Sequence, residues 1–530
     1  MMKKVASMAT RWKLAVLVLS IVAAMSLAPN GFASGPTVLF NGVGSSAAFN
    51  AFALAARYSN GTTGVCGAHN WTAASGTATG FDQRSSSITA VSGSIWIVWD
   101  AEPATIVCAY LNIDSVVGNR LFFAVPRGLL EIPSSAIGTF SATSQVPTFT
   151  DEALPSDVYT ALNGTAFNAA MSDIRPEDAL FATTRALTAL GTVVTGTAFK
   201  GLGYGPGPIG SLINSEFSTK YAQVVNFAMT GTDPITSEAV PSFLVQNVGG
   251  QVLMVLVNTS DTSAAGLGNS AFNNVGRFTL GRVQAGLTTR TRDLIPSSGL
   301  PIVPLNVLLR EPLSGTWNTM EYCIPNSKEV ALTQENNVNP AVDNPLNQTS
   351  ADGATRRRVI GTGEMVKQVG LISDAIGYAF FSFGNVKPIV GTGKYLTVDG
   401  VDPIQATYTG GTLPTCTAPC PGAVTFPNVI NGSYPIWNIL RVITASPAPS
   451  GVNSLISAAQ TQVASIPDFV PIGQMLVFRS HYAQSGFGGK DGHAPREVES
   501  GGDMGGAVLT LSEDLDSITD VKKEIGSVHQ

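Results

Sequence analysis

The residues best suited to chemistry lie in one short stretch, where an arginine is followed four positions later by Ser-Gly-Thr. Arg310 offers a planar fork of N–H donors that fits an oxyanion. Ser314 and Thr316 add hydroxyl groups, and Gly315 between them lets backbone N–H groups approach a ligand closely. This combination predicts a binding site for a small anion with several oxygen atoms.

Two elements must position these groups. An apolar run over 302–309 precedes Arg310, and a proline turn separates the arginine from Ser314. This order predicts a strand that ends at the arginine, followed by a helix whose N-terminus lies beside it. The first N–H groups of a helix have no partner within it, so they would add donors to the guanidinium at one point.

A second anion-binding arrangement is predicted near the start of the chain. A short apolar strand at 37–40 is followed by a glycine-rich turn at 41–46 and by a helix over 47–58. A strand, a tight turn and a helix with serine at its cap can bind an anion, but serine also caps helices that bind nothing. No Gly-Lys-Ser/Thr follows the turn, which excludes a nucleotide-hydrolase phosphate loop.

The composition indicates a folded, loop-rich protein with more than one domain. At 530 residues the chain exceeds what one hydrophobic core usually holds. Charged residues make up 12%, against a usual share of about 25%, while apolar residues stay at 44%. The net charge of −6 gives no basic surface for nucleic acid, so no nucleic-acid partner is expected. Strands that alternate with helices place the fold in the α/β class.

The first 33 residues have the pattern of a secretory signal peptide. Basic residues precede an apolar run from Leu14 to Ala28, and the small residues of Gly31-Phe32-Ala33 follow. The apolar run is close to the lower length limit for a membrane span, so a retained anchor is the alternative. Cleavage would leave a chain without a stable membrane span, in the periplasm or outside the cell.

Five cysteines in an exported chain allow two disulfides and one free thiol. The spacing alone does not fix the connectivity. One interpretation has a small loop closed by Cys416 and Cys420, a pair formed by Cys66 and Cys108, and a free Cys323.

Six short stretches, taken in order, resemble the phosphate-binding proteins of ABC transporters, which have the type II periplasmic binding protein fold. They are spread over about residues 37–440, and the Arg-x-x-x-Ser-Gly-Thr spacing is the most specific of them. The stretches are Gly42–Ser46, Ser172-Asp173, Phe278–Arg282, Arg310–Thr316, Ala375–Tyr378 and Tyr434–Ile436.

The resemblance implies an α/β fold of two lobes with a ligand cleft between them. Its implied ligand is phosphate or a similar small oxyanion, its implied partner is an ABC permease, and it implies no cofactor and no metal. Together with the polar stretches of the chain, it predicts lobe 1 over 34–250 with an insert at about 60–160, lobe 2 over 251–375, a second part of lobe 1 over 376–478, and a polar tail over 479–530.

By the same resemblance, seven residues would hold the ligand. Ser46 would offer its hydroxyl and Ala47 its backbone N–H, both at the first helix N-terminus. Asp173 would be an acceptor from the same lobe. The facing lobe would supply donors from Arg310, Ser314, Gly315 and Thr316.

Asp173 would give this site a means of selecting its ligand. A protonated phosphate carries an O–H that the carboxylate can accept. Sulfate has no such proton and would leave two anions facing each other. Ordinary helix capping is the alternative role for Asp173, since Arg175-Pro176 follows and begins another helix.

The chain departs from the family pattern at three places. The separation of 127 residues between Ser46 and Asp173 is longer than the family pattern leads us to expect. Pro312 stands where the family has an acidic residue two positions after the arginine, so the arginine is expected to be held differently. The family's second Ser/Gly loop falls within the predicted insert, where Ser75-Gly76 is a loose match.

An enzyme is not expected from these residues. Of the four histidines, His481, His493 and His529 lie in the polar tail and His69 is isolated in sequence. The sequence contains no Gly-x-Ser-x-Gly elbow before a helix and no metal-ligand spacing. Metal binding by Cys66 and His69 is an alternative that lacks further ligands nearby in sequence.

Two functions therefore compete. The first is an exported solute-binding protein that captures phosphate, or a similar oxyanion, for ABC-type uptake. The second is a cell-surface or matrix protein with a structural or adhesive role, which keeps the binding fold without transport. The low charge and the long Ser/Thr/Asn stretches suit the second function, and the anion-binding stretches favour the first.

Overall fold

The structure is a computed structural model. It describes residues 35–59, 62–79, 90–147, 149–176, 178–180, 227–234, 236–284, 294, 303–310, 314–324, 348–349, 355–359, 361–414, 424–462, 467–479, 508–510 and 528–529. The predicted signal peptide, Pro312, the pair Cys416 and Cys420, and most of the predicted tail lie outside these residues.

The described residues form strands and helices in alternation, which confirms the predicted α/β class. The strands are β1 (Thr37–Gly44), β2 (Tyr58–Ser59), β3 (Thr62–Thr63), β4 (His69–Thr79), β5 (Ala90–Trp99), β6 (Ile106–Asn112), β7 (Leu129–Glu131), β8 (Thr165–Ala166), β9 (Ala169–Ser172), β10 (Phe243–Asn258), β11 (Asn274–Val275), β12 (Asn306–Arg310), β13 (Gln348–Thr349), β14 (Thr355–Val359), β15 (Ala375–Phe380), β16 (Gly393–Tyr395), β17 (Thr397–Val398), β18 (Trp437–Ala445), β19 (Val470–Pro471), β20 (Val477–Arg479), β21 (Val508–Thr510) and β22 (Val528–His529).

The α-helices are α1 (Phe49–Arg57), α2 (Ser115–Phe123), α3 (Ser156–Leu162), α4 (Arg277–Gln284), α5 (Gly315–Cys323), α6 (Thr362–Leu371), α7 (Phe383–Val386), α8 (Pro427–Ile430) and α9 (Ser450–Gln462). Short 3-10 helices cover Ser46–Ala48, Ser134–Ala136, Lys387–Ile389 and Ile472–Gln474. Among the described residues, none of these helices has the length and apolar character needed to cross a membrane.

The long strand β10 joins two groups of strands into one mixed sheet. Its residues 243–252 pair antiparallel with β18, and its residues 253–257 pair antiparallel with β15. The apolar run at 251–257 predicts a strand covered on both faces, and this part of β10 is buried throughout. We call the strands from β18 to β8 in the order β18-β9-β1-β6-β5-β4-β7-β8 the first sheet region, and β15, β12, β14 and β13 the second sheet region.

In the first sheet region, three parallel strands end at the same edge. β1 pairs in parallel with β6 and with β9, so that Gly44 lies opposite Asn112 and Met171. Their packing is secured by buried aromatic rings, since Phe40 stacks on Trp96 and on Tyr110 at centroid distances of 6.2 and 6.4 Å. The residues that follow β1, β6 and β9 are therefore brought to one place.

The second sheet region repeats this arrangement. β12 pairs in parallel with β14 and with β15, and Arg310 at the end of β12 lies opposite Val359 at the end of β14. The helices that follow are α5 after β12 and α6 after β14. Their N-termini consequently lie at the same edge of the sheet, which is where parallel α/β sheets commonly hold ligands.

The strand pairing shows where the predicted insert and the predicted lobe boundaries lie in the sheet. Residues 106–123, within the predicted 60–160 insert, form β6 and α2, and β6 is a central strand of the first sheet region. The predicted boundary at 375/376 falls at the start of β15, which pairs with β12 and with the end of β10. The chain returns to the first sheet region at β18.

One disulfide joins Cys66, which precedes β4, to Cys108 in β6, with the Cα atoms 5.8 Å apart. This confirms that predicted pair. Cys323 is buried and takes no part in a disulfide, as expected, and its Sγ lies 3.7 Å from the Trp437 carbonyl oxygen. Because Cys66 is held in the disulfide, the alternative of a metal site made by Cys66 and His69 is wrong.

Candidate functional site

A buried polar cluster lies where the carboxyl ends of strands from both sheet regions meet. The first sheet region contributes the residues that follow β1, β6 and β9, and the second contributes those that follow β12 and β14. The cluster is made of Ser45, Ser46, Ala47, Asp114, Ser115, Asp173, Arg310, Ser314, Gly315, Thr316 and Thr362.

Arg310 is the centre of this polar cluster. Its side chain is 1% exposed, so its charge needs partners in place of water. Nη1 donates to the hydroxyl oxygens of Thr316 at 3.2 Å and Thr362 at 2.9 Å, and Nη2 donates to Asp114 Oδ1 at 3.4 Å. The backbone N–H of Arg310 donates to the hydroxyl of Tyr378 at 3.2 Å. The guanidinium is therefore oriented by groups on several different elements.

The N-terminus of α5 lies next to this arginine, as the order of residues predicts. Ser314 is the N-cap, and its hydroxyl accepts the N–H of Thr316 at 3.1 Å. Asn318 fixes the start of the helix further, because its side-chain amide donates to the Ser314 carbonyl at 2.7 Å. The positive end of the helix dipole thus faces the polar cluster and favours negative charge there.

Asp173 follows β9 and is buried against the same helix. Its carboxylate accepts a short hydrogen bond from the Ser115 hydroxyl. Burial raises the pKa of Asp173, while the hydrogen bond from Ser115 and the positive charge of Arg310 oppose that rise. The nearby Tyr110 hydroxyl donates to the Ser45 carbonyl at 2.6 Å, and burial together with the Asp173 charge raises the pKa of Tyr110. A raised carboxyl pKa makes Asp173 a good acceptor for a proton-bearing ligand.

At the end of β1 the structure differs in detail from the prediction. Ser45, rather than Ser46, is the N-cap of the 3-10 helix Ser46–Ala48 that leads into α1, and its hydroxyl accepts the N–H of Ala47 at 3.1 Å. Ser46 is thereby free of the capping role, and its hydroxyl lies 2.7 Å from that of Thr362. A hydrogen bond between Ser46 and Thr362 joins the first sheet region to the second.

All seven predicted site residues belong to the polar cluster. Gly315 packs directly against Asp173, Arg310 bonds to Thr316, and Ser46 bonds to a residue that also bonds to Arg310. Ala47 and Ser314 take part in the hydrogen bonds that cap the two helix N-termini. The structure brings these residues together, and their role in holding a ligand stays a prediction.

Besides Ser45, three further residues of the cluster are not among the predicted ligand-binding residues. Asp114 and Ser115 follow β6 and begin α2, so they carry the same strand-then-helix signal as Ser314. The sequence pattern predicts an insert over about 60–160, and an insert gives no reason to expect ligand-binding residues there. The loose match Ser75-Gly76 instead lies within β4. Thr362 opens α6 after Gly361, whose φ of 83° is a conformation that glycine adopts readily.

The charges of the polar cluster are unusual for an anion site. The Arg310 guanidinium is accompanied by two carboxylates, one from Asp114 and one from Asp173. The other contributions described are hydroxyl groups and backbone N–H groups, which are neutral. A ligand that suits this cluster has oxygen acceptors for the donors and at least one hydrogen to offer to a carboxylate.

A second group of ionisable side chains lies outside this cluster. One ligand atom from each of His69, Glu102 and Glu152 lies within 4.8 Å of the others, which is close enough to surround a cation. These side chains also have direct contacts with the protein: His69 Nδ1 is hydrogen-bonded to Glu152 at 2.8 Å, and the imidazole stacks on Trp99 at 5.8 Å. The described contacts account for His69 without a metal.

No protein-family model and no protein of curated function matches the chain. Among solved structures, it is similar to a DING protein, with a TM-score of 0.35, 12% identity, and coverage of 88% of this chain and 97% of the other. It is also similar to a phosphate-binding protein from Stenotrophomonas maltophilia, with a TM-score of 0.32, 13% identity and coverage of 69% and 84%.

A third similar structure is a phosphate ABC transporter substrate-binding protein from Clostridium perfringens with bound phosphate. The TM-score is 0.29 and the identity 15%, over 43% of this chain and 72% of the other. All three similarities are distant, and the polar cluster is defined by the contacts of this chain alone.

Proposed function

We propose that this protein captures a small oxyanion that carries a proton, with phosphate as the expected ligand, at the polar cluster between the two sheet regions. One observation supports this above all: a buried guanidinium, a helix N-terminus and a buried carboxylate converge there from both regions. The guanidinium is that of Arg310, the helix N-terminus is the start of α5, and the carboxylate is that of Asp173.

The chemistry of the donors fits phosphate. Its several oxygen atoms would accept hydrogen bonds from the Arg310 fork, from the hydroxyls of Ser46, Ser314 and Thr316, and from backbone N–H groups at Ala47 and Gly315. At neutral pH phosphate retains at least one proton, which the Asp173 carboxylate would accept. Sulfate has no proton at this pH, so it would face the carboxylate without a hydrogen bond.

Capture would proceed by an exchange of hydrogen bonds. In the structure the polar groups of the two sheet regions bond to each other, as Ser46 does to Thr362. A ligand would separate these groups, take their hydrogen bonds and then be enclosed as the regions approach again. The movement would be a hinge closure about the segments that connect the two regions, of which β10 is one.

As a biological role we propose that of an exported solute-binding protein, in the periplasm or outside the cell, that passes its ligand to an ABC permease. The signal-peptide pattern supports export. Of the solved structures named above, one is described as a phosphate-binding protein and another as a phosphate ABC transporter substrate-binding protein with bound phosphate. No catalytic step is proposed. The competing structural or adhesive role predicts no phosphate binding.

Titration calorimetry of the purified, phosphate-free chain tests the ligand. We expect saturable binding of one phosphate per chain, with sulfate at least about tenfold weaker. Thermal unfolding is a second readout, because a ligand at one hundred times its Kd stabilises the native state by about 2.7 kcal/mol. The absence of both a binding isotherm and a rise in Tm with phosphate would overturn the proposal.

Two variants of Arg310 connect binding to the polar cluster. Arg310→Lys keeps a positive charge but loses the planar fork, and Arg310→Gln loses both. We expect Kd to rise by about 30-fold or more in Arg310→Gln and by less in Arg310→Lys. Arg277→Gln is the matched control, because Arg277 is half-exposed and pairs with Asp399 instead. Equal affinity in all three variants would place the ligand elsewhere.

A further inference from the structure

We infer that Asp114 is the positioning residue of the anion site: a carboxylate from the first sheet region that holds the Arg310 guanidinium of the second. This inference rests on the proposed function, because it takes Arg310 to be the group that binds the anion. It predicts that Asp114 strengthens anion binding, although its negative charge alone would weaken it.

Asp114 is placed for this task rather than for helix capping. It is the N-cap of α2, with extended backbone angles of φ −94° and ψ 155°, yet its side chain makes no capping hydrogen bond. An aspartate at this position ordinarily accepts an N–H of the first helical turn. Here the carboxylate instead points to Arg310, with Oδ1 3.4 Å from Nη2.

The two ends of the guanidinium are held by different elements. Nη1 donates to Thr316 and Thr362, which begin α5 and α6 in the second sheet region. Nη2 donates to Asp114, which follows β6 in the first. With both ends held, the planar guanidinium has one orientation, and that is the condition for presenting it to a ligand.

The carboxylate that contacts Arg310 comes from a distant part of the chain. Arg310 is the last residue of β12, and Asp114 follows β6 at a sequence separation of 196 residues. Position 312, two residues after the arginine, is a proline, which has no carboxylate.

Burial decides which effect of Asp114 dominates. The Arg310 side chain is 1% exposed and that of Asp114 is 11% exposed, so water screens the pair poorly. Removing one member of such a pair leaves the other charge buried and less well compensated, which costs more than repulsion of a ligand charge would return. The loss of Asp114 is therefore expected to weaken anion binding.

The pair also links affinity to closure. Because Asp114 and Arg310 belong to different sheet regions, their contact forms only when the regions are together. A variant without the contact should release a bound anion faster, while the rate of association changes little. A residue that merely supports the fold would not raise the dissociation rate while leaving the association rate nearly unchanged.

The test is phosphate binding by Asp114→Asn and Asp114→Glu, with Asp399→Asn as the matched control. Asp399 is an exposed carboxylate that pairs with Arg277, so its loss changes the net charge equally. We expect Kd to rise about tenfold or more in Asp114→Asn, mainly through the dissociation rate, and to recover in part in Asp114→Glu. An Asp114→Asn variant that binds phosphate as tightly as the wild type, or more tightly, would overturn the inference.

A ligand-free measurement keeps the inference separate from the proposed function. Tm is measured without phosphate for Asp114→Asn, for Arg310→Gln and for the double variant. If the two side chains hold each other, the double variant loses less in Tm than the two single losses together. Additive losses would refute the pair, whether or not the wild type binds phosphate. A wild type that binds no phosphate, with coupled losses, would refute the proposed function alone.

Discussion

The first residue of α5, Gly315, lies so close to the Asp173 carboxylate that there is no room between them for a side chain. A Cβ at this position would collide with Asp173 Oδ1 and come within 2.6 Å of the Ser115 hydroxyl oxygen. Gly315 belongs to the second sheet region, and Asp173 and Ser115 belong to the first. Glycine is thus required here by the close approach of the two regions.

Gly315→Ala is therefore predicted to hold the two sheet regions apart. Separation of the regions relieves the collision, so the variant should fold, but the polar cluster cannot assemble around a ligand. We expect the phosphate Kd to rise by at least about tenfold, because donors from both regions are needed at once. Calorimetry measures the affinity, and circular dichroism checks the fold.

The matched control is Gly473→Ala, an exposed glycine whose added Cβ would have no atom within 4 Å. It should bind phosphate like the wild type. If Gly315→Ala also binds like the wild type, the approach between Gly315 and Asp173 plays no part in binding.

Thr362→Val is predicted to destabilise the ligand-free protein. The Thr362 hydroxyl accepts from Arg310 and is hydrogen-bonded to Ser46, and valine keeps the shape of threonine without that hydroxyl. Arg310 would lose one of its buried hydrogen-bond acceptors, at a cost of about 1–3 kcal/mol. Urea unfolding in phosphate-free buffer measures the change. Thr461→Val is the control, since Thr461 is exposed on α9, and a loss of the same size in both variants would contradict the prediction.

Asp173→Asn is predicted to remove the preference for phosphate over sulfate. The amide can donate to a sulfate oxygen, whereas the carboxylate can only accept unless it is protonated. We expect the ratio of the two Kd values to fall from at least about tenfold toward one. The ratio is measured by competition at constant ionic strength, with Asp399→Asn as the control for net charge. An unchanged ratio in Asp173→Asn would show that selection occurs elsewhere.

The part of the site that local patterns describe was predictable from the sequence. The apolar run before Arg310 and the serine cap of α5 fixed a strand end and a helix start, and both lie where they were expected. The buried run in β10 and the α/β class followed from similar patterns. Local hydrogen bonding and periodicity determine these features, so a single sequence carries them.

The rest of the polar cluster depends on pairing between distant strands. Thr362 meets Ser46 across 316 residues of sequence, and an ordinary threonine at a helix start has no distinctive signal. Asp114 and Ser115 were not predictable as site residues, because the polar stretch around 60–90 makes the whole segment over about 60–160 resemble an insert. Only the parallel pairing of β6 with β1 shows that these two residues reach the same edge as Asp173.

Outside the cluster, Asp468 gives the fold a predictable pH dependence. The carboxylate is buried and accepts hydrogen bonds from the Phe383 N–H and the Ser382 hydroxyl, both at 3.0 Å. Burial raises the pKa of Asp468 to about 6 from an ordinary value of 3.8, although the two hydrogen bonds oppose the rise. The folded state therefore binds this proton more tightly than the unfolded state does.

The consequence is that this group lowers the stability as pH rises. Its contribution is fully favourable below about pH 4, falls between about pH 4 and 6, and stays lower above that range, by about 3 kcal/mol in total. Asp468→Asn does not titrate and keeps an acceptor for Phe383. We expect its free energy of unfolding, relative to the wild type, to be higher at pH 7.5 than at pH 4 by a comparable amount. Urea unfolding at the two pH values measures this difference, and an equal difference from the wild type at both pH values would contradict the prediction.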